Sequence, residues 1–284
     1  KKYIFSFLII FLSISVLYAQ QRTAVLSDKG TFQTSISIES TDTLHYMVSP
    51  GVIYTATIGG QPAGYVNGTN GYNDLGKYQR LDFASDNVTG HAIILYFGAK
   101  EIVGTPDIIN VVIRQVASNG APGSLISTFP LSTADIDTTG PTVITLAKQA
   151  LTGVSAFVGI EWALTDNDKF TLISNQTPNG ASPSRVWEKW DDGSYHQYGS
   201  ATSWNLQIDL WVGMIYSQSM AGPYWIPKGS NIRGFDNLAE AITAVNTLGL
   251  SGETTFYIDA DLDQSAAALP VLQREDLTAN TRLT

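Results

Sequence analysis

Val111-Val112-Ile113-Arg114-Gln115-Val116, followed by Ser118-Asn119-Gly120-Ala121-Pro122-Gly123, decides the fold class of this chain. Valine and isoleucine branch at Cβ, which suits a pleated strand better than a helix. The next residues stop the run for a physical reason. Pro122 fixes φ, and Gly120 and Gly123 take positive φ at little cost. Ala156-Phe157-Val158-Gly159-Ile160-Glu161-Trp162 is a second run of the same character. Working outward, short apolar runs between Gly, Asn, Asp and Pro clusters predict strands near 52–58, 79–84, 91–97, 108–116, 124–130, 142–146, 155–164, 170–174, 184–190 and 204–216. No helical period lasts through residues 50–217. The expected class is all-β: a jelly-roll-like antiparallel β-sandwich.

The pattern changes after Pro223. Apolar residues recur at Leu238, Ala241, Ile242, Val245 and Leu248, a helical spacing, with Asp236 read as N-cap and Gly249 as the C-cap glycine. Thr254-Thr255-Phe256-Tyr257-Ile258 then reads as a strand. A solenoid end exposes apolar core and unpaired strand edges, and an amphipathic helix is a suitable cover for it. An ordinary αβ unit packed on the sandwich is the other reading.

The chain opens on Lys1-Lys2, an apolar run over residues 3–16, and Leu17-Tyr18-Ala19-Gln20. This layout reads as a secretory signal cut after Ala19. A membrane anchor is the alternative, although the run is shorter than the roughly 20 residues a bilayer needs. No Cys follows the cut, which excludes a lipid-modified start. Cleavage leaves 284 − 19 = 265 residues, enough for one large or two modest cores. With no cysteine in the chain, stability must come from packing or bound ions. The net charge of −9, or −11 without Lys1 and Lys2, repels phosphate backbones, so nucleic acid is not an expected partner. Both ends read as cut, since the chain begins with Lys1 and stops at Thr284 without a stop signal. The expected division is 1–19 signal, 20–49 lead-in strand or linker (Ser35-Ile36-Ser37-Ile38 alternates weakly), 50–217 sandwich module, and 218–284 a helix-capped start of a solenoid.

Phe235-Asp236-Asn237-Leu238-Ala239-Glu240-Ala241-Ile242, with Asn246-Thr247-Leu248-Gly249-Leu250-Ser251-Gly252-Glu253 and the strand after it, resembles the entry to a right-handed parallel β-helix. It is similar to the pectin-lyase-like solenoids of large bacterial surface proteins, often exported by the type IX system. Leu277-Thr278-Ala279-Asn280-Thr281-Arg282-Leu283-Thr284 resembles a first-coil edge. Upstream, Gly64-Tyr65-Val66-Asn67-Gly68-Thr69-Asn70-Gly71-Tyr72, Asn119-Gly120-Ala121-Pro122-Gly123-Ser124-Leu125 and Phe157-Val158-Gly159-Ile160-Glu161-Trp162 are similar to sandwich modules of such proteins. The resemblance spans residues 50–284. It implies a capping helix, a first coil of parallel β-helix, and a place at the bacterial cell surface or outside it. Two departures stand out: no solenoid repeats follow, and no C-terminal sorting domain is present.

Candidate chemistry centres on Arg185-Val186-Trp187-Glu188-Lys189-Trp190-Asp191-Asp192-Gly193-Ser194-Tyr195-His196-Gln197-Tyr198, ending at Trp204. Aromatic rings receive the C–H faces of sugars, while carboxylates and amides take the hydroxyls. Trp187, Trp190, Tyr195, Tyr198 and Trp204 are therefore the candidate ligand-binding residues; the other reading is that they fill the core. Asp192-Gly193 marks a hairpin turn, and alternation puts Trp187 and Trp190 on opposite faces. Asp166 and Asp168, and Asp259, Asp261 and Asp263, are candidate calcium ligands, because calcium takes about six to eight oxygens. A solvated strand face is the alternative for them. No other cofactor is expected.

For catalysis there is little. His45, His91 and His196 are far apart, and no metal-protease, nucleophile-elbow, phosphate-loop or dinucleotide motif occurs. Glu161 reads either as a buried acid with a raised pKa or as a solvent-facing strand residue, and no catalytic residue is assigned. Sequons at Asn67, Asn87 and Asn175 matter only in a host that glycosylates. The expected function is a secreted or cell-surface module that binds or displays, with a polysaccharide or cell-surface glycan as ligand. The alternatives are the N-terminal part of a pectin-lyase-like polysaccharide lyase or hydrolase, and a structural stalk.

Overall fold

Period-two alternation turns the apolar runs into strands with one face buried. The computed structural model describes residues 22–27, 32, 43–83, 87–163, 167–176, 185–218, 220–227, 234–248 and 250–258. Five short strands come first: β1 (Thr23–Leu26), β2 (Thr43–His45), β3 (Gly51–Val52), β4 (Tyr54–Ile58) and β5 (Gln61–Tyr65). Longer ones follow: β6 (Gly76–Asp82), β7 (Asn87–Leu95), β8 (Phe97–Glu101), β9 (Ile108–Val116), β10 (Pro122–Ser132), β11 (Thr142–Thr152) and β12 (Ser155–Glu161). Then come β13 (Lys169–Leu172), β14 (Ser174–Asn175), β15 (Val186–Lys189), β16 (Tyr195–Gln197), β17 (Val212–Gln218), β18 (Met220–Ile226), helix α1 (Leu238–Leu248) and β19 (Leu250–Ile258). The described residues are mostly β, as the apolar runs and turn clusters predict.

Two antiparallel sheets hold most of these strands. The larger runs β10-β9-β12-β6-β15-β16 and the smaller β11-β7-β17-β2. In the larger sheet Ala156 pairs with Leu81, Val158 with Ile113, and Ile160 with Val111. These six side chains join one apolar cluster with Val88, Leu95, Leu151, Val212 and Met214 of the smaller sheet. The two sheets thus share a core, in which each fully buried large apolar side chain contributes about 1.5–3 kcal/mol. A bulge tunes β7: Ile215 pairs with Ala92 and Tyr216 with Gly90, so His91 is skipped. That extra residue lets Val88 and Ile93, which alternation alone would send to opposite faces, both enter the shared core.

Three differences from the sequence expectation have physical causes. Residues 204–211 keep a two-residue burial rhythm (Leu206, Ile208 and Leu210 are buried) but do not form a strand. Asn205 has φ 53°, and the Leu210 amide donates to the Gln79 side chain at 2.7 Å instead of to a neighbouring strand. Strands β5, β8 and β16 are short or polar and give little periodic signal. In the lead-in region, β1 pairs with β4 and β2 with β17, so those residues belong to sheets. Ser35-Ile36-Ser37-Ile38 lies outside the described residues.

The terminal unit is built differently. β18 and β19 pair in parallel, with α1 between them in sequence. Parallel neighbours need a crossover connection, and the amphipathic helix supplies it. Leu238, Ala241, Ala244 and Val245 pack on Tyr224, Ile226 and Phe256, a cluster separate from the main core. The helix cap falls one residue later than Asp236. Asn237 Oδ1 accepts the Glu240 amide at 2.9 Å, and Glu240 Oε2 accepts the Asp236 amide at 3.2 Å. The candidate coil edge at 277–284 lies outside the described residues.

Candidate functional site

β15 sends its side chains to two environments. Val186 belongs to the shared core, while Trp187 packs on the opposite, outer face of the larger sheet. There Tyr78, Val112 and Phe157 form a buried floor carrying the half-buried Trp187 and Tyr195. Trp187 meets Phe157 edge-on at 6.3 Å, and Tyr195 meets Tyr78 at 5.6 Å. Beside the rings, Glu161 Oε1 accepts from Arg114 Nε at 2.6 Å and from Tyr78 Oη at 2.8 Å. Lys189 Nζ lies 3.6 Å from Glu161 Oε2, and Arg114 Nη1 donates to the Gly123 carbonyl at 2.9 Å.

The charges on this face are fixed by these contacts. Burial pushes the Glu161 carboxyl up, but the Arg114 and Tyr78 hydrogen bonds and the Arg114 and Lys189 charges outweigh it and hold it below the ordinary range. The raised acid considered from sequence is therefore not found at Glu161. Tyr78 is pushed well up by burial and by the Glu161 charge, so its phenol stays a donor. The face presents two half-buried rings next to two cations and a carboxylate, an arrangement that can stack on a ligand and hydrogen-bond to it and that holds no raised acid at Glu161.

The other candidate aromatics lie on the inner side of β15 and β16. Glu188 stands opposite Lys77 in register, and both are fully buried. Lys77 Nζ donates to Glu188 Oε2 at 2.7 Å and to Asp74 Oδ2 at 2.5 Å. Arg22 Nη1 donates to Asp74 Oδ1 at 2.5 Å and lies 3.4 Å from the Glu188 carboxylate. Glu188 also accepts from Trp190 Nε1 at 2.7 Å, Trp204 Nε1 at 2.6 Å and Ser203 Oγ at 2.8 Å. Asp74 feels burial most, which pushes its carboxyl up, yet Lys77 and Arg22 hold it below the ordinary range.

These contacts separate the five ring candidates. Tyr198 is fully buried and Trp204 nearly so. Trp190 is half-buried, but His196 stacks on it at 3.4 Å and the Arg22 guanidinium lies 4.1 Å from its centroid. Two groups that close cannot share one face, so both faces of the Trp190 ring are covered. Trp187 and Tyr195 are brought together on the outer face. Sequence reading missed Arg22, Asp74, Lys77 and Arg114. A signal for Lys77 and Glu188 was present: each is in phase with inward residues (Leu81, Val186) of its strand, and a charge in core phase requires a partner.

The acidic candidates fall elsewhere. Asp168 is buried; its Oδ1 accepts the Val103 amide at 2.6 Å, and its Oδ2 accepts the Asp107 amide at 3.0 Å and the Thr133 hydroxyl. It clamps the turn after β8 to the loop before β13 and borders a cleft of about 280 Å³ lined also by Gly64, Thr69, Asn70, Asn167 and Lys169. Asp166, Asp259, Asp261 and Asp263 lie outside the described residues. Among the described residues no group of three or more His, Asp or Glu side chains could hold a metal ion. His45, His91 and His196 make separate local contacts, to the Met47 amide, Ser217 and Ser194. Asn67 and Asn175 are buried, and Asn175 bonds the Val48 amide, the Tyr46 carbonyl and Trp211, so neither side chain is open to a glycosylating enzyme in the folded state.

No family model matches the chain, and no curated relative matches it. Among solved structures it is similar to the cysteine protease and lectin-like domains of Cwp84, a surface layer associated protein of Clostridium difficile. The identity is 11% and the TM-score 0.40, over 62% of this chain and 36% of that one. A likeness this distant carries no argument about the site. None of these comparisons returns a pectin-lyase-like solenoid or a type IX-exported protein. Among the described residues no helix is long and apolar enough to cross a membrane.

Proposed function

We propose that this chain is a non-catalytic binding module, secreted or held at the bacterial cell surface, whose ligand is a polysaccharide or cell-surface glycan. One observation carries the reading: Trp187 and Tyr195 lie half-buried on the outer sheet face beside Arg114, Glu161 and Lys189. Rings packed on a buried floor are ordered before a sugar arrives, which lowers the ordering entropy that opposes binding. Glu161 is held ionised by three neighbours and has no second carboxylate assigned to it, which favours binding over hydrolysis.

We infer that the two large sheets are the layers of a sandwich of jelly-roll kind. The shared core supports this, as does the repeated crossing of the chain between sheets (β6 to β7, β10 to β11, β11 to β12). The parallel pair β18–β19 under α1 supports a helix-capped opening of a parallel β-helix. The same pair supports the competing reading, the N-terminal part of a pectin-lyase-like lyase or hydrolase.

The test is a glycan array followed by titration calorimetry, with wild type and the Trp187→Ala/Tyr195→Ala double variant. Saturable binding by wild type and at least tenfold weaker binding by the folded double variant is the expected result. Absence of binding by wild type to neutral and acidic polysaccharides alike would overturn the reading.

A further inference from the structure

We propose that Asp74, Lys77 and Glu188, with Tyr72, Trp190 and Trp204, form a guanidinium-binding socket that Arg22 occupies in cis. The site is distinct from the outer sheet face. Its ligand class is an arginine side chain.

Charge sets the need for a cation. Without Arg22 the buried group holds one cation, Lys77, against two carboxylates, a net charge of −1 out of contact with water. Asp74 Oδ2 is satisfied by Lys77 and by Asn70 Nδ2 at 2.8 Å, whereas Arg22 is the partner of Oδ1. Removing the guanidinium leaves that buried oxygen without its ion pair. Shape sets the kind of cation. The Arg22 guanidinium carbon lies 4.1 Å from the Trp190 ring, 4.8 Å from Tyr72 and 5.3 Å from Trp204. A planar cation against aromatic faces gains from their quadrupoles, most strongly where water is excluded. A guanidinium also stacks on rings better than a compact ammonium does.

The socket and its occupant come from different parts of the chain. Its lining comes from residues 70–77 and 188–204, and its members brace one another through contacts that do not involve Arg22. Glu188 is held by Lys77, Ser203, Trp190 and Trp204; Trp190 is backed by His196; Trp204 meets Tyr72 edge-on at 5.4 Å. Arg22, by contrast, arrives on a lightly anchored segment. Among the described residues β1 is an edge strand paired with β4 alone, and Thr23, Val25 and Leu26 are exposed. The arginine therefore acts as a key on a peripheral strand, and the lock belongs to the main body.

The test uses the 284-residue chain carrying Arg22→Ala, with methylguanidinium as probe and methylammonium as control, read by thermal unfolding. The variant is expected to melt below wild type. Millimolar methylguanidinium is expected to raise its Tm saturably by several degrees, with little effect on wild type and little effect of methylammonium on either. Adding Asp74→Asn to the variant should abolish the rescue. Equal responses of wild type and variant, or no response of the variant, would overturn the proposal. If Arg22→Ala does not fold, recovery of folded protein on refolding with methylguanidinium but not methylammonium supports the socket, and no recovery refutes it.

Discussion

Tyr78 lies over Gly159: a Cβ at position 159 would come within 2.8 Å of Tyr78 Cδ1 and 2.1 Å of the Lys77 carbonyl oxygen. Gly76 leaves room at the other end, where a Cβ would meet the phenol oxygen at 2.6 Å. Two glycines thus make the bed on which the ring lies flat and supports Trp187 and Tyr195. Gly159→Ala must push β12 from β6, because a backbone carbonyl cannot swing aside as a side chain can. It should destabilise by about 1–3 kcal/mol. A wild-type urea midpoint for this variant would contradict the packing.

The ionised state of Glu161 makes a pH-dependent prediction. Its folded pKa is depressed, so its contribution is present above the unfolded value and is lost as pH falls through the folded one. The Tm gap between wild type and Glu161→Gln should be constant from about pH 6 to 8 and narrow below about pH 4. A gap that widens on acidification would mean that the Arg114 and Tyr78 contacts do not hold the charge.

Lys77 ion-pairs with two buried carboxylates, Asp74 and Glu188. Breaking a buried pair from one side costs about 3–5 kcal/mol, because the surviving charge stays uncompensated. Lys77→Met should lose that much in chemical unfolding. In a double-mutant cycle with Asp74→Asn, the combined loss should fall short of the sum of the single losses. Strict additivity would show that the two groups do not interact.

The terminal unit should yield independently of the main core, since among the described residues Val245 and Ala241 join Tyr224, Ile226 and Phe256 in a cluster separate from it. Val245→Asp buries a charge there. It should speed hydrogen exchange in α1 and β19 while exchange in β9 and β12 stays slow, and it should promote cleavage by protease near residues 218–230. Asn237→Ala should loosen the same helix by about 1 kcal/mol through loss of its cap. Uniform acceleration across the chain would mean one cooperative unit.

Much of the strand content could be read from the chain because Val111–Val116 and Ala156–Ile160 are branched or aromatic and bounded by turn residues. The helix was legible from the spacing of Leu238, Ala241 and Val245. The His91 bulge was not, because a skipped residue leaves no mark on composition. The ring candidates were found as a group, but their separation into one outer pair and one inner set was not. The inner set depends on Arg22, 166 residues before Glu188, which no local pattern connects to it.

By itself the sequence determined that this is an all-β chain with one amphipathic helix near its end, since alternation and turn chemistry act within a few residues. Only the tertiary structure decided which charged and aromatic side chains meet. Register placed Glu188 opposite Lys77 and left Trp187 on the far side of the same strand. Burial then made ion pairing obligatory on one face and left two rings accessible on the other, because an unpaired charge is costly in the interior and tolerable at the surface.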